Sequence, residues 1–237
     1  MIIGIIGGGG VAATNKLNEL IETEIIKQGA FRDYHHPEII IWQATKVPSR
    51  SMFLEGRGES FIPEYVYIAK KLKTCGAEKV CMCCNTAHYA IDYISKKAKI
   101  SFINLVENVV KEVKNKKVKS VGLLATDGCI KSKIYEKYFN KICPKVKIIY
   151  PNEKYQQLVT KGICNIKNIH RFDRLNSQER PLNIFKKVVK YLKNKGAEAI
   201  VVGCTDIRVD YYDKKNIDSL EILKNLILKE TKNYKQE

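Results

Sequence analysis

Arginine is scarce in this chain. Its 237 residues include 42 Lys and Arg against 25 Asp and Glu, a formal net charge of +17. Yet the arginines are only Arg32, Arg50, Arg57, Arg171, Arg174, Arg180 and Arg208. Bidentate readout of bases or phosphates favours clustered Arg, and stacking on bases needs exposed aromatics. Here the lysines are spread along amphipathic segments and rarely alternate with aromatic residues. The charge therefore reads as a lysine-rich solvated surface that helps attract small anions, with no specific nucleic-acid partner. Long apolar runs are missing too: none approaches the ~20 residues that span a bilayer, so no membrane partner is expected. Met1 to Ile6 has no basic region before it and breaks at once into glycines, unlike a secretory leader. Low-complexity tracts are absent. Eight cysteines in a chain this long make no disulfide framework, so reduced thiols in the cytoplasm are the expectation.

What is present alternates. Ile2 to Ile6 is a short, doubly apolar run of the kind found in buried parallel strands. It opens onto Gly7-Gly8-Gly9-Gly10, and Val11 to Lys27 then carries helical spacing at Leu17, Leu20, Ile21 and Ile25. Ile39 to Trp42 reads as a second strand. Lys46 to Glu59 holds Pro48, Gly56 and Gly58 without a sustained period and is expected as a long surface loop, a common place for function. Phe61 to Leu72 reads as a helix with Pro63 in its first turn. Strand 79–83, helix 87–97, strand 100–103 and helix 106–113 follow.

The pattern then restarts, with strand 118–124, helix 130–139, strand 146–149 and a helix from Glu153 to about Cys164. Residues 168–180 are expected to be irregular. Helix 182–194, strand 198–202 and a closing helix 219–232 complete the chain. This order specifies an α/β protein with mainly parallel sheets.

The restart is written in the residues. Leu72-Lys73-Thr74-Cys75-Gly76-Ala77-Glu78 recurs 120 positions on as Leu192-Lys193-Asn194-Lys195-Gly196-Ala197-Glu198. The same offset carries Cys84 onto Cys204. Gly4-Ile5-Ile6 matches Gly122-Leu123-Leu124 at an offset of 118. A half-chain repeat is the signature of internal duplication and predicts two pseudo-symmetric α/β domains sharing a cleft.

Both repeated cysteines fall just past a strand, where open α/β sheets bind ligands. Free backbone N–H groups there, with Asn85, Thr86, Thr126 and Thr205, suit a carboxylate. The same partial positive charge favours a thiolate. Two opposed thiols around one carboxylate ligand point to proton exchange at the carbon between them. One thiolate removes the α-proton while the other thiol protonates the opposite face.

Four stretches carry a resemblance over nearly the whole chain: Gly4 to Gly8, Cys84-Asn85-Thr86-Ala87-His88-Tyr89, Gly122 to Gly128, and Gly203-Cys204-Thr205-Asp206. The sequence resembles the cofactor-independent aspartate/glutamate racemases, in their aspartate racemase branch. That resemblance implies an isomerase that interconverts L- and D-aspartate, with glutamate as the alternative, and uses no pyridoxal phosphate. It implies a homodimer of two-domain subunits. The expected division is 1–104 plus 208–237 for the first domain, to which the last helix returns, and 105–207 for the second. By the same resemblance Cys84 and Cys204 are the acid/base pair. Asn85, Thr86, Thr126 and Thr205 seat the α-carboxylate and amino group, and Arg50 binds the side-chain carboxylate.

Two places depart from the family pattern. Gly8-Gly9-Gly10-Val11 replaces Gly-Gly-Met-Gly-Pro in a loop that lines the pocket. Cys164 stands where a lysine often meets the distal carboxylate, with Lys161 and Lys167 a helical turn away on either side. Side-chain specificity turns on these places. A relative acting on another acid, as isomerase or decarboxylase, and a binding module with a basic surface are the competing readings.

Two further alternatives come from the residues themselves. Cys81, Cys83, Cys84 and His88 invite a metal, but strand alternation separates Cys84 from the other two, and a closed set of four ligands is missing. Gly7 to Ala12 fits G-x-G-x-x-A, but strand two ends Ile41-Trp42-Gln43 without the acid that holds a ribose hydroxyl. Neither a metal nor a bound cofactor is expected. Cys75, Cys81, Cys83, Cys129, Cys143 and Cys164 are assigned to core or surface packing, and His88 to a structural role.

Overall fold

The structure is a computed structural model that describes residues 1–231. Within them two four-stranded parallel sheets are present. The first half runs β1 (Ile3–Gly7), α1 (Val11–Lys27), β2 (Ile39–Gln43), α2 (Arg50–Leu54), α3 (Ile62–Thr74), β3 (Lys79–Met82), α4 (Ile91–Ala98) and β4 (Ser101–Ile103). Next come α5 (Leu105–Asn115), β5 (Ser120–Leu124), α6 (Asp127–Lys131), α7 (Ile134–Ile142), β6 (Lys147–Ile149), α8 (Glu153–Asn165) and α9 (Pro181–Asn194). β7 (Ala199–Val202), β8 (Ile217–Asp218) and α10 (Ser219–Thr231) close the described chain.

The strand orders are β2-β1-β3-β4 and β6-β5-β7-β8. Each sheet therefore orders its strands identically, as the expected duplication requires.

The repeated heptapeptide has a physical explanation. α3 and α9 both end on a glycine with positive φ, +102° at Gly76 and +93° at Gly196. In both, the next N–H bonds five residues back, Ala77 to the Leu72 carbonyl and Ala197 to that of Leu192. This is the left-handed helix stop that glycine adopts without a Cβ penalty. The glutamate that follows also repeats its task. Glu78 accepts the Ile2 N–H at 2.7 Å and Glu198 the Lys119 N–H at 2.9 Å, each joining the helix end to the strand beside it. Leu72 and Leu192 are buried against Gly4 and Gly122, where a Cβ would come within 3.1–3.3 Å and 2.9–3.1 Å of neighbouring side chains. Burying such a leucine stabilises by about 1.5–3 kcal/mol, and a larger residue at either strand glycine would push its helix off.

One hydrophobic interior spans both halves. Ile3, Ile5, Leu17 and Ile21 of the first sheet and α1 join Val106, Val110, Val121, Leu123 and Tyr135, with Leu220, Leu223 and Ile227 of α10. The last helix lies back on α1, where Lys224 pairs with Glu24 at 3.2 Å.

Several local expectations shift. The expected loop 46–59 contains the short helix α2, started by Ser49, whose hydroxyl accepts the Met52 N–H. Helix 87–97 divides into a 3-10 turn, Thr86–Ala90, and α4. Helix 130–139 divides at Ser132 and Lys133, the latter left-handed at φ 52°. The irregular 168–180 stretch holds a 3-10 turn at Ile169–Phe172. β8 is a strand of two residues, too short for any periodicity, and it keeps the chain with the second sheet through Asp218. The closing helix was expected to reach Lys232, which lies outside the described residues, as do residues 233–237 of the expected first domain.

Candidate active site

Cys84 lies two residues past β3 and Cys204 two past β7, at equivalent ends of their sheets. Each cysteine leads into a 3-10 turn, Thr86–Ala90 and Thr205–Val209. Both line one small cavity of about 70 Å³, together with Gly9, Arg50, Asn85, Thr86, Thr126, Lys167, Thr205 and Asp206. All seven residues singled out in the sequence meet there.

The hydroxyls stitch the halves across this cavity. Thr86 Oγ1 lies 2.9 Å from Thr126 Oγ1, and the Thr205 hydroxyl donates to the Cys83 carbonyl at 3.1 Å. Thr126 also caps α6 by accepting the Cys129 N–H. The loop that carries Arg50 is fastened to the other half, since the Gly128 N–H donates to Ser51 Oγ at 2.9 Å. Gly128 is required there, because a Cβ would lie 2.6 Å from the Ser51 backbone.

Arg50 donates to the main-chain carbonyls of Val47, Pro48 and Gly9. Its Nε is buried with no partner among the described residues. Burial works against its charge, but Cys84, Tyr65 and Asp206 together outweigh that and raise its pKa. Gly9 makes room for this pair, as a Cβ there would stand 2.9 Å from the guanidinium and 3.5 Å from the Cys84 Cβ.

Cys204 is the more buried thiol. Burial pushes it well up, Asp206 adds to the shift, and Lys167 opposes it. Asp206 is itself buried, and burial holds its carboxyl above the ordinary range against the pull of Lys167 at 3.2 Å. On Lys167, burial opposes the charge, and Asp206 with Cys204 and Cys84 together outweigh it, so its pKa is raised. Asp206 Oδ1 has no hydrogen-bond partner among the described residues and occupies the space that a Cβ on Gly10 would fill, 1.7 Å away. The altered glycine loop therefore houses a carboxylate at the start of α1, where the helix dipole favours it.

Cys164 is exposed and takes no part in the cavity. Lys161 pairs with Glu179 on the surface at 2.7 Å, and Lys167, beyond the end of α8, supplies the cation. Helical spacing points to Lys161 and Lys167 alike and does not choose between them, because the chain has left the helix by Lys167. Asp206, two residues after the second cysteine, was visible in the motif but without its lysine partner.

His88 is buried and has both ring nitrogens engaged. Nε2 accepts the Leu105 N–H at 3.0 Å, so Nδ1 carries the proton and donates to the Cys84 carbonyl at 2.8 Å. Burial pushes its pKa down to about 4. Cys81, Cys83 and Cys129 are buried core residues, Cys143 is half-buried, and Cys75 is exposed.

Residues 2–219 match the family model described as Asp/Glu/Hydantoin racemase. A broad-specificity amino-acid racemase of Bacillus subtilis is 24% identical over 209 residues, covering 87% of this chain and 86% of that one. The structure of an aspartate racemase from Picrophilus torridus superposes with a TM-score of 0.81 at 25% identity, over 97% of this chain and 94% of that one. An aspartate racemase homologue from Pyrococcus horikoshii has the same fold, with a TM-score of 0.70 at 24% identity over 97% and 98% of the two chains. With the match running through nearly its whole length, the chain belongs to the Asp/Glu/hydantoin racemase family and is, as a racemase, an isomerase.

Proposed function

We propose that this enzyme interconverts L- and D-aspartate, with glutamate as the alternative substrate, by a two-base exchange at Cα. The observation that carries the reading is the meeting of both repeated thiols in one cavity that also holds two cations. Cys84, half-exposed beside Arg50, takes the α-proton as thiolate, and Cys204, held protonated by burial, delivers its S–H proton to the opposite face. The electron pair left by the departing proton is shared with the α-carboxylate until the new C–H bond forms. In the reverse direction the thiols exchange roles. Since the thiols supply both proton transfers, the scheme calls for no pyridoxal phosphate.

Thr86, Thr126, Thr205 and Asn85 seat the α-carboxylate and amino group. Arg50, with its free Nε, and Lys167 hold the distal carboxylate. The functional unit is a homodimer in the cytoplasm. Support for the dimer comes from β2, an edge strand whose Ile41 and Trp42 are exposed beside Tyr67, the kind of edge that proteins cover. A division near 104/105 is supported by the change of sheet; β8, within the stretch 208–237 expected in the first domain, pairs in the second sheet, so of that stretch α10 is the part that lies back on α1.

Solvent-deuterium incorporation at Cα of L- and D-aspartate and glutamate tests the reading. Exchange with aspartate in both directions supports it, and no incorporation with either acid overturns it.

A further inference from the structure

Asn85 is held from two sides. Its side chain is buried, and its Nδ2 donates to Ser219 Oγ at 3.0 Å while its Oδ1 accepts the Tyr135 hydroxyl at 2.9 Å. Ser219 opens α10 and Tyr135 lies on α7, so one amide ties together three separate parts of the chain. An amide has two N–H bonds, and among the described residues one of those on Asn85 has a partner; the residue also lines the cavity.

Tyr135 also touches the second cysteine motif. A Cβ on Gly203 would come within 3.0 Å of its hydroxyl and 3.1 Å of its ring. The residue after Cys84 and the residue before Cys204 thus rest on the same phenol. The ring is fully buried, and burial, with Cys129 and Cys204 adding to it, keeps the hydroxyl protonated as a standing donor.

We propose that Tyr135 is a positioning residue for proton transfer, its hydroxyl fixing the Asn85 amide so that the free Nδ2–H faces the substrate α-carboxylate. This rests on the racemase scheme above. When the α-proton leaves, negative charge moves onto that carboxylate, so a donor aimed at it binds the transition state more strongly than the ground state. A phenol that holds the donor's orientation therefore raises turnover rather than affinity. Without it, Asn85 Oδ1 is buried with one partner fewer, and the amide is free to rotate.

The test is Tyr135→Phe, which keeps the ring against Gly203 and removes only the hydroxyl. The rate of Cα deuterium exchange on aspartate is expected to fall about 10- to 100-fold, the range for losing one hydrogen bond to a buried group. The affinity for succinate, a dicarboxylate without an α-amino group, is expected to stay within about twofold, because uniform binding is untouched. An unchanged exchange rate overturns the inference. So does a parallel loss of exchange and succinate affinity, which would mark general damage to the pocket. If Tyr135→Phe does not fold, Ser219→Ala removes the other partner of the same amide and is read by the same split. Wild-type enzyme that exchanges no proton would overturn the racemase reading itself, a result distinct from an active wild type with an indifferent variant.

Discussion

Cys84 and Cys204 follow strands that hold the same place in two sheets of the same order, yet their surroundings differ in sign and in access. Cys84 is half-exposed, beside the Arg50 guanidinium and the open backbone of Gly9. Cys204 is buried beside the Asp206 carboxylate, which Lys167 balances. Duplication delivered two thiols in equivalent places, and side chains that differ between the halves, Asp206 in place of Thr86 among them, then made them unequal. In the proposed two-base exchange this difference sets which thiol starts as thiolate, and each turnover then reverses the two protonation states.

The residues four positions after the cysteines extend the contrast. His88, neutral, fixes the start of α5 through Leu105. Arg208 pairs with Asp218 at 2.8 Å, and Asp218 in turn accepts the Leu220 N–H at the start of α10. The same mechanical task is done by a neutral imidazole in one half and by an ion pair in the other.

Replacing the cysteines tests the comparison most severely. Cys84→Ser and Cys204→Ser are each expected to lower racemisation by about 10³-fold or more, within the span of a lost acid or base. Polarimetry on aspartate measures it, and normal turnover in either variant would refute the two-base scheme.

Acid titration separates the structural partners next. His88 has a folded pKa of about 4 against the ordinary histidine value of 6.5, so the unfolded chain binds the proton first. Its contribution is complete above pH 6.5 and is lost as pH falls from 6.5 to 4, on the order of 3 kcal/mol by linkage. Asp218 has the opposite sign: burial, opposed by Arg208, pushes it up to about 6, so the folded chain binds the proton first and gains stability as pH falls through 6. Denaturant unfolding of His88→Gln between pH 7 and 4 should therefore fall less steeply than wild type. Asp218→Asn should fall more steeply, and parallel curves for all three would contradict the assignment.

The cations come third. Arg50→Gln and Lys167→Gln are each expected to raise KM for aspartate about 10- to 100-fold, as for removal of a charge-assisted contact. Arg50 is expected to give the larger effect, because Lys167 shares its charge with Asp206. Steady-state kinetics on both enantiomers decides the order.

The smallest effect probes the scaffold. Gly76→Ala and Gly196→Ala force a Cβ into the same left-handed turn, with open space around Gly196 and no contact closer than 3.7 Å at Gly76. Each should cost about 1 kcal/mol, the backbone penalty alone. A large difference between them in thermal melts would mean the two helix ends are not equivalent.

Most of the fold was legible in the sequence because parallel strands are continuous apolar runs and the helix stops repeat at five of seven positions. The elements that escaped are short or broken: β8 has two residues, and α6 and α7 part at Lys133. No period of 3.6 or 2 can develop over such lengths. Cys84, Asn85, Thr86, Thr126, Cys204 and Thr205 were legible as candidates because each follows a strand end with a donor or thiol, whereas Arg50, on α2, came only from the family resemblance.

The sequence by itself determined the α/β alternation, the duplication, and the pairing of Cys84 with Cys204, since these are written in spacing along the chain. Only the tertiary structure decided that Lys167 rather than Cys164 or Lys161 reaches the cavity. It also placed Asp206 in the space left by Gly10, and Asn85 on Tyr135 and Ser219. Those contacts join residues from 39 to 196 positions apart, and the direction in which such side chains meet is set by how two sheets pack on one shared interior.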